Sequence, residues 1–278
     1  MLLITGSNGQ LGNELRLLLG ESAVYVGRDE LDITDEAAVK AFFEAQSFDF
    51  VINCAAYTAV DKAEDDFEAA DRINRLGPAL LAKYGKRIVQ VSTDYVFDGT
   101  AYLPYKEGDA VKPVSVYGST KLAGEEAVLA EAETAVVIRT AWLYSSFGSN
   151  FVKTMRRLGA ERDSLGVIYD QVGTPTYAAD LAAAIVAMLP QIKPGMKDVY
   201  HYSNEGVASW YDFAVAIMEE SGLNCVVRPL ETFEYPTKAT RPAYSVLNKA
   251  KIRRDFGLTI PHWMDGLKRC ITKLNEQA

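Results

Sequence analysis

Tyr117 and Lys121 stand four residues apart, and that spacing can carry proton chemistry. On a helix, positions i and i+4 share one face. A free tyrosine titrates at about 10, and an ammonium beside it favours the phenolate and lowers that value. A tyrosine so tuned exchanges a proton with a substrate oxygen near neutral pH. The structural alternative is a tyrosine packed on a helix beside a surface lysine. Carbonyl chemistry also wants a hydroxyl to orient the oxygen. Ser92-Thr93-Asp94 supplies one at the end of an apolar run, Ile88 to Ser92, that reads as a strand. Thr93 or Ser92 could bond the substrate oxygen, and Asp94 could act on a sugar hydroxyl or relay protons. The alternative there is an ordinary capping cluster where a strand meets a loop.

Gly6, Gly9 and Gly12 follow the apolar run Met1 to Thr5 and precede Asn13 to Leu19, which reads as a helix closed by Gly20. Strand, glycine turn and helix in this order make a seat for a dinucleotide. One glycine makes the turn, one admits the pyrophosphate to the backbone, and one lets helix pack on strand. The free N–H groups of the helix start favour phosphate. The spacing is GxxGxxG rather than GxGxxG, and glycines also serve plain turns.

The elements that must position these groups alternate along the chain. Ala23 to Val26, Phe48 to Asn53, Ile88 to Ser92 and Ala135 to Arg139 read as strands. Between them lie helical stretches: Asp35 to Phe43 with Thr34 as cap, Val60 to Tyr84 interrupted near Gly77-Pro78, and Lys121 to Glu131. Such alternation predicts a Rossmann-like, doubly wound parallel sheet in an α/β fold, with ligand at the carboxyl ends of the strands. After about Ser145 the regularity fades. Helices are expected over Asn150 to Ala160 and Ala179 to Leu189, with a short strand at Val167 to Tyr169. We expect residues 1–145, with about 177–200, to bind the dinucleotide. About 146–176 and 201–278 then form a smaller substrate-binding lobe.

Hydrophobic residues make up 49% of the 278 residues, ample for such a core. The net charge of −8 argues against general binding to nucleic acid or anionic membrane. No apolar run has membrane-spanning length, and a strand begins at once, leaving no room for a signal peptide. Cys54, Cys225 and Cys270 are odd in number and far apart, which reads as reduced thiols in a cytoplasmic protein. His201 and His262 are isolated and receive no role.

These residues resemble the extended short-chain dehydrogenase/reductase family over most of the chain. The resemblance rests on the glycine turn with Gln10-Leu11, on Leu31-Asp32-Ile33, and on Asn53-Cys54-Ala55-Ala56-Tyr57 through Glu64. It continues through Ser92 to Gly99, Tyr117 to Glu125, Arg139 to Tyr144, Asn150 to Val152, Asp170 to Thr176 and Arg241-Pro242. It implies reduction, with NAD(P)H, of the C4 ketone of dTDP-4-dehydro-L-rhamnose to dTDP-L-rhamnose. By the same resemblance Thr93, Tyr117 and Lys121 are catalytic, Tyr117 and Lys121 also bind the cofactor, and Lys121 holds its ribose. Gly6, Gly9, Gln10, Leu11 and Gly12 meet the pyrophosphate region. Asp32 and Ile33 border the adenine, and Ala55, Ala56 and Tyr57 line the cofactor. On the sugar side stand Thr93, Asp94, Trp142, Asn150, Gln171, Thr176 and Arg241. A guanidinium at Arg241 suits a diphosphate, though a surface arginine beside proline is the alternative. Cys54 stands where the family often has alanine. Some members bind magnesium through glutamates at a dimer interface. Glu14 sits at one matching place, with no equivalents found for the others, and a homodimer is admitted.

Cofactor choice turns on the end of the second strand, where an acid binds ribose hydroxyls and an arginine accommodates a 2′-phosphate. Gly27-Arg28-Asp29 follows Val26. Arg28 falls nearest the expected place, which favours NADPH with NADH also accepted; a shift of one residue would hand the position to Asp29. Two other readings share these motifs: a nucleotide-sugar epimerase or dehydratase that retains NAD, and a non-catalytic dinucleotide-binding regulatory subunit.

Overall fold

Six short apolar runs become one parallel sheet in the computed structural model, which describes residues 1–277. They are β1 (Leu2–Thr5), β2 (Ala23–Val26), β3 (Phe50–Asn53), β4 (Arg87–Thr93), β5 (Thr134–Thr140) and β6 (Lys197–His201). The spatial order is β6-β5-β4-β3-β1-β2, and every pairing is parallel. β3 and β5 are buried at every residue, as strands covered on both faces must be. The chain direction of the order reverses between β1 and β3, and there a crevice opens beyond the carboxyl ends.

Alternation along each strand feeds two apolar layers. Ile4, Ile52, Val89, Val136 and Ile138 point to one side, where α1 (Gln10–Leu19) packs on α6 (Ala178–Met188). Leu3, Val51, Ile88 and Ala135 point to the other, under α2 (Glu36–Ala45), α3 (Gly77–Gly85) and α4 (Val116–Glu131). A separate core joins α5 (Phe151–Glu161), α7 (Trp210–Glu220) and α8 (Trp263–Glu276) around Phe213, Ile217 and Leu267. It also takes in Leu165 and Val167 from the strand Ser164–Ile168, which pairs in parallel with Val226–Leu230. The short helix Ala250–Phe256 sends Ile252 and Phe256 back into the first layer.

Some boundaries differ from expectation for local reasons. Asp35, not Thr34, caps α2, accepting from the amides of Ala37 and Ala38. Thr34 instead donates its hydroxyl to Asp32 at 2.8 Å. The stretch after Val60 breaks at Glu64–Asp66, where Asp66 caps the helix Phe67–Asp71, and runs unbroken through Gly77-Pro78. A wide turn, Arg72–Leu76, leads without a break into α3, whose second residue is Pro78. Helix α4 begins at Val116, capped by Ser115, so one helix carries both Tyr117 and Lys121. Strand β6 extends the sheet beyond the four internal strands read from pattern.

Candidate active site

The glycine turn works through close approach. Gly6 takes φ 63°, and a Cβ there would lie 2.5 Å from the Ala55 amide nitrogen. A Cβ on Gly12 would lie 2.6 Å from Ser7 Cα, so the third glycine seats α1 against its own turn. Gly9 is the N-cap of α1 and offers no side-chain acceptor, so the first-turn N–H groups stay free for a ligand. Gly9, Gln10, Leu11 and Gly12 line a cavity of about 560 Å³. A second cavity of about 640 Å³ lies beside it, lined by Arg28, Asp32, Ile33, Ala55, Tyr57 and Arg72 among others. The two share Gly6, Gly9, Cys54, Ala56 and Thr58, so they form one groove across the switch point. Its shape and donors fit a dinucleotide: free helix amides at the centre and guanidinium groups at one end. Asp32 is held below the usual carboxylate range by hydrogen bonds from Thr34.

At the other end the catalytic candidates meet. Thr93 ends β4 and donates its hydroxyl to Asp94 Oδ1 at 2.9 Å. Tyr117 lines the same cavity as Thr93, and its ring meets Tyr95 edge-on at 5.4 Å. Lys121 is buried, and its Nζ donates to the Val91 carbonyl at 2.6 Å. All three residues line the same cavity. The titration expected for the tyrosine needs correcting. Burial pushes Tyr117 up to about 12, against the lowering effect of Thr93, and Lys121 does not bring it down. The ammonium is turned to a backbone carbonyl, and burial lowers Lys121 itself to about 8. Tyr117 is therefore a neutral phenol at physiological pH, the form that can donate a proton.

Asp94 is buried, and burial raises it to about 6. Asp94 lines the cavity, and its buried Oδ2 has no hydrogen-bond partner among the described residues. A buried acceptor left open beside the reacting groups suits a ligand hydroxyl. Trp142 also lines the cavity and adopts φ 48°, a left-handed backbone rare for a bulky side chain. Gly173 makes room for its ring: a Cβ there would lie 2.7 Å from Trp142 Cε2. Trp210, from α7, stacks on Trp142 and faces the same cavity.

Four residues carried to the sugar side do not reach either cavity. Asn150 caps α5 and donates to Gln10 Oε1 at 2.9 Å and the Ser145 carbonyl at 2.7 Å. It therefore steadies Gln10. Gln171 is buried and donates to the Thr232 hydroxyl at 3.1 Å. Thr176 is fully buried, its amide donating to the Trp142 carbonyl at 3.1 Å. Arg241 is taken up by Asp61, with Nη2 to Oδ2 at 2.7 Å. Sequence reasoning missed Trp210 and Arg72, which carry no motif and come to the groove by folding alone. Ile33 reaches the groove floor because Gly77 leaves space for it.

Glu14 does not fit a magnesium ligand. It is buried, accepts from the Ser145 hydroxyl at 2.6 Å, and its other oxygen is 3.0 Å from Lys273 Nζ. The ammonium balances its charge within one chain. Among the described residues no group of three His, Cys, Asp or Glu side chains could hold a metal ion.

The parallel sheet, glycine turn and Thr93–Tyr117–Lys121 cluster define a dinucleotide-dependent oxidoreductase of the short-chain dehydrogenase/reductase type. The chain belongs to the RmlD substrate binding domain family, which it matches over residues 1–276. It is 40% identical to the dTDP-4-dehydrorhamnose reductase of Aggregatibacter actinomycetemcomitans, over 96% of this chain and 97% of that one. Its fold matches the crystal structure of a dTDP-4-dehydrorhamnose reductase from Clostridium acetobutylicum at TM-score 0.95, with 44% identity over 99% of each chain. It matches the dTDP-4-dehydrorhamnose reductase of Bacillus anthracis, solved with NADP, at TM-score 0.94, with 36% identity over 98% of each chain.

Proposed function

We propose that the chain reduces the C4 ketone of dTDP-4-dehydro-L-rhamnose with NADPH, giving dTDP-L-rhamnose. The observation that carries this reading is the convergence of Thr93, Tyr117 and Lys121 on one cavity beside the free start of α1. The dinucleotide, when bound, supplies a hydride to the ketone carbon. Tyr117 gives its phenol proton to the oxygen that becomes the hydroxyl. Thr93 orients that oxygen, and Lys121, cationic below about pH 8, holds the ribose. Asp94 Oδ2 accepts from a sugar hydroxyl, while Trp142 and Trp210 form the wall behind the ring.

In this reading residues 1–145 with about 177–200 hold the dinucleotide, and about 146–176 and 201–278 hold the sugar nucleotide. Ile252 and Phe256 are a shared seam, since they pack under the sheet. No described helix is long and apolar enough to cross a membrane, and the three thiols are unbonded; we place the reaction in the cytoplasm.

The test is absorbance at 340 nm with dTDP-linked and other nucleotide-linked keto sugars. A reductase consumes NADPH in proportion to substrate, and dTDP-4-dehydro-L-rhamnose should be turned over best. No net change with conversion of substrate would instead mean an epimerase or dehydratase. Tyr117→Phe should keep NADPH binding and lose turnover by roughly a hundredfold or more, as expected for a lost proton donor. Near-normal turnover in that variant would sink the mechanism.

A further inference from the structure

Behind the catalytic cluster lies a buried ion pair that the reaction, as described, does not use. Tyr117, Lys121 and Glu125 follow one another at four-residue intervals on α4, so they form one column facing β4 and β5. Glu125 is 2% exposed, and Arg139 on β5 is 4% exposed. Arg139 Nε donates to both carboxylate oxygens, at 3.0 and 3.1 Å, and Nη2 donates to Oε2 at 2.7 Å. The Ser92 hydroxyl also donates to Oε1. Ser92 stands directly opposite Arg139 in the β4–β5 ladder. Its neighbours in β4 are Val91, which accepts from Lys121, and Thr93, which lines the catalytic cavity with Tyr117. A single carboxylate thus ties α4, β4 and β5 together one turn behind the catalytic lysine.

We infer that Glu125 is a positioning residue: its negative charge keeps Lys121 cationic, and Arg139 and Ser92 hold that charge in place. The inference rests on the reductase reading above. A buried pair is rarely a good way to gain stability, because desolvating two ions costs about as much as their attraction returns. Two aliphatic side chains would fill this place, whereas a fixed anion near a buried ammonium changes that ammonium's behaviour. Burial alone drives Lys121 down, and Glu125 is the leading influence that opposes it. Among the groups that raise Lys121, Glu125 comes first and the Cys54 thiol second. Tyr117 and the Cys54 thiol, each pushed up to about 12, are neutral at working pH. Asp94 lines the same cavity from beyond β4. Glu64 is engaged at the Val116 amide, and Asp71 is paired with Arg75.

The experiment measures kcat against pH together with competitive acetylation of Lys121 by acetic anhydride, read by peptide mass spectrometry. Glu125→Gln keeps the shape and removes the charge. It should move the alkaline loss of activity, and the midpoint of Lys121 labelling, about one pH unit lower. Glu125→Asp keeps the charge and disturbs the shape; it should lower kcat with both midpoints near wild type. Glu125→Gln combined with Arg139→Gln leaves no charge unpaired and should reproduce the lowered midpoints, which covers the case in which the single variant does not fold. Unmoved midpoints in a folded charge-removing variant overturn the inference, as does an equal shift in Glu125→Asp. The labelling arm decides the matter even if wild type turns over no sugar, an outcome that would overturn the functional reading separately.

Discussion

Trp142 and Trp210 stack face to face, with ring centroids 3.6 Å apart and planes 9° from parallel. One follows the end of β5 and the other begins α7, and both pack against the second core at the edge of the cavity. Trp142 holds a left-handed backbone there, at a cost of about 1–3 kcal/mol. An aromatic stack returns about 0.5–1.5 kcal/mol beyond simple burial. Trp210→Ala should therefore let Trp142 relax, raising KM for the sugar nucleotide about tenfold while KM for NADPH stays within roughly twofold. Equal losses for both ligands would show that the stack serves the fold as a whole and not the sugar.

Asp94 links the cleft to stability. Its carboxyl is raised to about 6 by burial, so the folded state holds its proton more tightly than the unfolded chain does. The sign follows: this group's contribution is best at low pH and is lost as pH rises through about 4 to 6, on the order of 3 kcal/mol in all. Asp94→Asn cannot ionise. It should raise Tm relative to wild type at pH 7.5, show little difference near pH 4, and lose most turnover. A variant less stable than wild type at pH 7.5 would mean that the open Oδ2 is satisfied in solution.

Arg28 tests cofactor choice. It is exposed on the larger cavity, beside Asp29 and Asp32, and makes no salt bridge among the described residues, so its charge is free for a phosphate. Arg28→Ala should raise KM for NADPH roughly tenfold, the loss of about 1.5 kcal/mol in one charge-assisted hydrogen bond, and leave NADH nearly untouched. If NADPH and NADH lose equally, Arg28 does not read the phosphate.

Lys273 and Glu14 test the place that could otherwise have suggested a metal. Lys273→Ala strands a buried carboxylate and should cost on the order of 3 kcal/mol, seen as a lower Tm. Wild-type activity should survive EDTA unchanged. Activity that falls on chelation and returns with magnesium would contradict Lys273 as the only cation at Glu14.

Local pattern made much of this protein legible. The glycine turn, the Tyr-x-x-x-Lys pair and the strand-ending Thr93 are short-range features, and their meaning comes from elements only a few residues away. The apolar strands were readable for the same reason, since a parallel sheet buries whole runs. Tertiary structure decided the rest. Asn150, Gln171, Thr176 and Arg241 belong to motifs, yet each is taken up by a distant partner, Gln10, Thr232, Trp142 or Asp61. Trp210 has no motif and reaches the cleft only because α7 packs beside Trp142. The titration of Tyr117 and Lys121 was likewise beyond spacing. Four residues on a helix set which face they share, but burial and the reach of Lys121 to the Val91 carbonyl set their charge, and both are properties of the packed molecule.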